Sequence, residues 1–121
     1  MRLFVYGTLK RGLSNFGWMG GQLFLGEGRT AELCRLVDLG GYPGMIRDAE
    51  AGYAVEGELW EVDAAALARL DLLEDVADGE YARQPVRLQG EWADTAVAYF
   101  YQRSVVGQPE VGPRWTEAGD Q

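Results

Sequence analysis

Only one stretch of this chain has helical periodicity, and that sets the limits on its fold. It covers residues 64–74, opens behind Asp63, which suits an N-cap, and carries Ala66, Leu70 and Leu73 along one apolar stripe. The other patterned segments are short, rich in β-branched and aromatic residues, and bounded by Gly, Pro or Asp. They read as strands over 3–6, 22–25, 31–39, 45–47, 55–62, 81–88 and 95–101, with a turn at 40–44, a polar break at 89–91 and a short helical turn within 13–21. This order does not fit regular βαβ alternation. The expected class is α+β, a small mixed β-barrel with flanking helices. A length of 121 residues suits one core, here assigned to residues 1–103, with 104–121 as a weakly ordered C-terminal tail anchored by Trp115.

Composition removes whole classes of chemistry. The chain contains no histidine, so Ser-His-Asp and Cys-His nucleophile systems are impossible. Zinc sites built on His or on several Cys are excluded too, and no metal is expected. The one cysteine, Cys34, can form no internal disulfide and reads as a small, inert residue in a strand. A net charge of −8, with 11 scattered Lys and Arg, argues against nucleic acid as a partner. Only four apolar residues lie between Arg2 and Gly7, too few for a signal-peptide core, and no apolar run approaches a membrane span. The expectation is a soluble, cytoplasmic protein, a monomer or weak dimer, whose chemistry falls to carboxylates, hydroxyls and backbone groups.

Two features stand out. With Leu67 at zero and ~100° per residue, Glu74 falls at about 340°, inside the apolar stripe. A carboxyl held there has its pKa raised toward neutrality, which suits a group that must both take and return a proton. The alternative is that the helix stops at Leu73 and Glu74 turns outward with Asp75 as a solvated end-of-helix charge. The second feature is the loop Gly7-Thr8-Leu9-Lys10-Arg11-Gly12 after the first strand. It can present backbone N–H groups to a carboxylate, or it can be a plain tight turn. It lacks the phosphate-loop pattern, so nucleotide binding is not supported.

The segment Val5-Tyr6-Gly7-Thr8-Leu9-Lys10-Arg11-Gly12 resembles the opening signature of the γ-glutamylcyclotransferase-like (AIG2-like) family. Leu70-Asp71-Leu72-Leu73-Glu74 followed by Tyr81-Ala82-Arg83 is similar to that family's Leu-Asp-x-x-Glu and Tyr-x-Arg elements, in the same order. Tyr42-Pro43-Gly44-Met45 and Gly57-Glu58-Leu59-Trp60 also fit, so the resemblance covers residues 2–101. It implies a cavity where the opening loop faces a catalytic glutamate, Glu74. It also implies that Tyr6, Gly7, Thr8 and Leu9 hold a γ-glutamyl group and that Tyr81 stands in the cavity wall. Two departures bear on this. Asp75 occupies a position where relatives usually carry Gly, and the stretch Ser14-Asn15-Phe16-Gly17-Trp18 lacks the His that relatives often have there.

The activity implied is cyclisation of a γ-glutamyl amide to 5-oxoproline with release of an amine, without cofactor. The substrate's own α-amine is the nucleophile, so one carboxylate and a row of donors are enough. The alternative is a non-catalytic small-molecule binding protein on the same fold. The tyrosines and tryptophans are expected mainly in core packing.

Overall fold

The chain is described by a computed structural model over residues 1–90 and 96–117. Along it run β1 (Arg2–Val5), a 3-10 turn (Phe16–Met19), β2 (Leu23–Arg29), β3 (Cys34–Asp38), β4 (Pro43–Arg47), β5 (Glu56–Glu61), α1 (Ala64–Leu73), β6 (Tyr81–Val86) and β7 (Ala96–Tyr101). Thr95 of the strand expected over 95–101, and Glu91 of the polar break, lie outside the described residues.

β1 lies at the centre because it is apolar on both faces. Leu3 and Val5 point to a core shared with Met19, Trp60, Ala66, Leu67 and Leu70, which places α1 and the 3-10 turn on that side. Phe4 and Tyr6 alternate to the other face and pack with Leu36, Met45, Leu59, Ala98 and Phe100, under the β3–β4 hairpin. A strand buried on both faces can take a neighbour along each edge. β1 runs antiparallel to β5, with Phe4 opposite Leu59, and parallel to β7, with Leu3 opposite Val97. The sheet order is β2-β5-β1-β7-β6, and β3 and β4 form a separate two-stranded sheet.

The expected barrel does not close. Among the described residues the outer strands β2 and β6 meet only beyond their ends, where Thr30 bridges Leu88. β2 also extends four residues past its expected end, through Gly26 and Gly28 to Arg29. These glycines looked like breakers, but the strand absorbs them with a register shift between Phe24 and Gly26.

α1 begins as expected, with the Asp63 carboxylate accepting the Ala66 N–H at 2.7 Å. It ends at Leu73, one residue before the expected boundary. Even so, the Glu74 N–H still donates to the Leu70 carbonyl at 2.9 Å, so Glu74 keeps the direction of the last turn. Asp75 then breaks the helix with φ at 55°. Cys34 is fully buried, and burial pushes its thiol up to about 11, as befits an inert packing residue.

Candidate active site

A cavity of about 410 Å³ opens where four segments end. They are the loop after β1, the β3–β4 turn, the C-terminal end of α1 and the start of β6. All six residues expected at a site line it: Tyr6, Gly7, Thr8, Leu9, Glu74 and Tyr81. Helix α1 does stop at Leu73, yet Glu74 does not turn away. Its partly buried carboxyl faces this cavity, among Leu73, Tyr81 and Tyr99.

The loop is rigid because other parts of the chain hold it. The Asn15 backbone N–H donates to the Thr8 carbonyl at 2.9 Å, and its side-chain amide to the Thr8 hydroxyl at 3.0 Å. The Arg11 N–H and Nε both donate to the buried Glu58 carboxylate of β5, at 3.0 and 3.1 Å. The Lys10 ammonium donates to the Trp115 carbonyl at 2.7 Å. Gly7 has to be glycine, because a Cβ there would lie 2.6 Å from the Pro43 ring. Among the described residues none accepts a hydrogen bond from the N–H of Gly7, Thr8 or Leu9. Three neighbouring unpaired donors beside a cavity suit a carboxylate or a developing oxyanion.

The titratable groups of the wall fall into two kinds. Burial raises the Tyr6 and Tyr81 phenols well above their usual range, and the nearby Glu74 charge adds to the effect at both. The Tyr6 hydroxyl donates to the Tyr99 carbonyl at 2.6 Å and the Tyr81 hydroxyl to the Pro43 carbonyl at 2.7 Å. Both phenols therefore stay neutral, with their protons already committed to structural bonds. Glu74 behaves differently. Burial, reinforced by the Glu80 charge, lifts its carboxyl to about 7, and no hydrogen bond reaches that carboxyl among the described residues. It can exchange a proton near neutral pH.

Sequence reasoning missed part of the wall. Tyr99, Tyr42, Glu80 and Asn15 line the cavity as well, so four tyrosines face it rather than the core alone. Behind Tyr99 lies a polar relay: its hydroxyl donates to Asp71 at 2.7 Å, and Arg83 grips the same carboxylate through two nitrogens at 3.0 and 3.1 Å. The available signal was that Asp71 and Arg83 sit inside the two motif segments already singled out. Trp60, by contrast, is a core residue, edge-on to Phe24.

The open mixed sheet carries a cavity in which the loop after β1 and a partly buried carboxyl raised toward neutrality line the same space. A model of the gamma-glutamyl cyclotransferase, AIG2-like family matches residues 3–120, and the chain belongs to this family. It is 40% identical to a gamma-glutamylcyclotransferase family protein of Citrobacter rodentium over 107 residues, 88% of this chain and 87% of that one. Protein ytfP of Escherichia coli, solved by solution NMR, superposes with a TM-score of 0.72 at 37% identity and covers 100% of both chains. An AIG2-like protein from Mus musculus gives a TM-score of 0.78 at 28% identity, covering 99% of this chain and 97% of that one. No helix among the described residues is long and apolar enough to cross a membrane.

Proposed function

We propose that this chain converts a γ-glutamyl amide into 5-oxoproline and a free amine, with Glu74 as the proton shuttle. The observation that carries this reading is a carboxyl raised to about 7 in a cavity that is also lined by a loop with unpaired backbone donors. Family membership supports it.

The chemistry balances with the substrate and one carboxylate. Ionised Glu74 takes a proton from the substrate's α-ammonium, and the freed amine attacks the side-chain carbonyl carbon, forming the new C–N bond of a five-membered ring. The carbonyl oxygen gathers negative charge, which a backbone N–H of the loop over residues 7–9 stabilises in this reading while its neighbours hold the substrate's α-carboxylate. As the bond to the leaving nitrogen breaks, Glu74 returns its proton there, and the regenerated carboxylate takes the second proton from the ring nitrogen and passes it to the released amine, so that the products are 5-oxoproline and an ammonium ion. Tyr6 and Tyr81 hold the wall shape that keeps the chain bent for attack.

A γ-glutamyl amino acid and a γ-glutamyl amine, each incubated with wild type and with Glu74→Gln, are expected to release 5-oxoproline with wild type only, read by mass spectrometry. The kcat/KM of wild type should rise with pH through about 7, as the carboxyl becomes the base. Activity retained by Glu74→Gln would sink the assignment. Binding of 5-oxoproline without turnover by either protein would make the cavity a binding site instead.

A further inference from the structure

The loop after β1 has two sides, and its far side closes a second cavity of about 420 Å³. The other walls are the end of β2, the start of β5 and residues 114–116 of the tail, and the two cavities share no lining residue. The floor is bare, because Gly28 stands opposite Gly57 in the β2–β5 register and a Cβ on Gly28 would meet nothing within 4 Å. The walls are tied together. The Glu56 N–H donates to the Pro113 carbonyl at 2.8 Å, the Lys10 ammonium to the Trp115 carbonyl at 2.7 Å, and the Ser14 hydroxyl to the Glu117 carboxylate at 2.7 Å.

The charge of this second cavity is the reverse of the first. No Lys or Arg lines the wall that holds Glu74, whereas Lys10, Arg11, Arg29 and Arg114 all line the second cavity. They face Glu27, Glu56 and Glu58, so cations are in excess here in a chain whose net charge is −8. Arg11 is committed: its Nε donates to Glu58 at 3.1 Å, and its guanidinium stands 3.6 Å from Glu27. Arg29 and Arg114 are exposed, and neither guanidinium makes a hydrogen bond or ion pair with a described residue. Glu56 lies opposite Arg29 in the register and can offset only one of the two charges. Two uncommitted guanidiniums over a bare backbone floor suit an anion with two charges, since their planar donors grip carboxylate and phosphate oxygens in pairs. We infer that the cavity behind the donor loop is a second ligand site, in which Arg29 and Arg114 hold a small dianion, a phosphate or a dicarboxylate. The site stands apart from the proposed reaction and does not depend on it.

Inorganic phosphate and succinate are the probes, titrated separately into the isotope-labelled full chain at low ionic strength and followed by backbone amide NMR shifts. At least one is expected to saturate, with a Kd on the order of 1 mM or below and the largest shifts at residues 28–29, 57 and 114–116. Added sodium chloride should weaken the binding. Arg29→Gln and Arg114→Gln, both at exposed positions, should each raise Kd about fivefold or more, and the two together should abolish saturation. Arg103→Gln, which removes an exposed cation elsewhere, should leave Kd unchanged, and so should Glu74→Gln. An anion held in the first cavity would instead bind more tightly once the Glu74 charge is gone. Saturation by phosphate only, by succinate only or by both supports the site and tells which dianion it accepts. Shifts that stay linear with both probes, or saturation that survives the double substitution, would overturn the inference.

Discussion

A carboxyl that titrates at about 7 in the folded chain, against 4.5 when free, costs stability whenever it is ionised. The sign follows from the protons. Below about pH 4.5 Glu74 is protonated in both states and contributes nothing. Between 4.5 and 7 the unfolded chain releases the proton first, so stability falls as pH rises, and above 7 the loss is complete, at about 3 kcal/mol for a shift of this size. Glu74→Gln should therefore be more stable than wild type by about that amount at pH 8 and by under ~1 kcal/mol at pH 5, in denaturant melts of both proteins. The other carboxylates titrate in both and cancel. A difference that does not grow with pH would place Glu74 in water and remove the basis of its catalytic role. The next residue, Asp75, holds φ at 55°, the left-handed region in which glycine is unstrained, and its carboxyl is raised by burial and by its neighbours Asp78 and Glu80. The glycine that the family resemblance leads one to expect at this position thus has a backbone reason. Asp75→Gly should raise the thermal midpoint by a few degrees, and an unchanged or lower midpoint would mean that the aspartate side chain compensates locally.

The elements contribute by bringing distant segments to one wall, and here legibility in the sequence divides. Helix α1 and its Asp63 cap were readable because 3.6-residue periodicity and capping are local rules, whereas the direction of Glu74 stayed open between the apolar stripe and solvent because it lies at the helix end. The loop over Tyr6–Leu9 and the wall tyrosine Tyr81 came from motif resemblance, and both line the cavity. What could not be read was pairing across the fold. Nothing local says that β7 lies parallel beside β1, and only that placement brings the Tyr99 hydroxyl to Asp71 and its carbonyl to Tyr6. Nor does a local pattern tell that Tyr42 and Glu80, far apart in the chain, meet across the mouth. The Asp71–Arg83 pair fastens the end of α1 to β6, with side chains 28% and 29% exposed, so part of each still meets water. Hydrogen bonds from Arg83 and Tyr99 outweigh the burial of Asp71 and hold its carboxyl below its usual range. Asp71→Ala should cost about 1–2 kcal/mol, less than a fully buried pair, and it should couple with Arg83→Ala in a double-mutant cycle. Strictly additive losses would show that the pair carries no joint energy.

At the scale of the whole molecule, the segment after β7 decides how firmly the site is held. Its composition reads as a tail with one aromatic anchor, and the structure lays it along β3 and on to the start of β5 through isolated hydrogen bonds: Val111 N–H to the Leu36 carbonyl, Asp38 N–H to the Pro109 carbonyl and Glu56 N–H to the Pro113 carbonyl, each at 2.8–2.9 Å. Trp115 is 6% exposed and joins the core cluster of Phe4, Leu36 and Phe100, while its carbonyl takes the Lys10 ammonium at the base of the donor loop. One residue thus ties the tail both to the core and to the site. Its indole N–H is buried and finds no acceptor among the described residues, which costs about 1–3 kcal/mol. Packing and this unpaired donor oppose each other, so two substitutions separate them. Trp115→Ala removes the packing and should cost about 3–5 kcal/mol. Trp115→Phe keeps most of the ring and deletes the orphan donor, and should cost less than about 1 kcal/mol. Chemical denaturation of both variants checks this. If the phenylalanine variant lost as much as the alanine one, the indole N–H would have to be satisfied in solution, and the tail would be held by polar contact rather than by the buried ring.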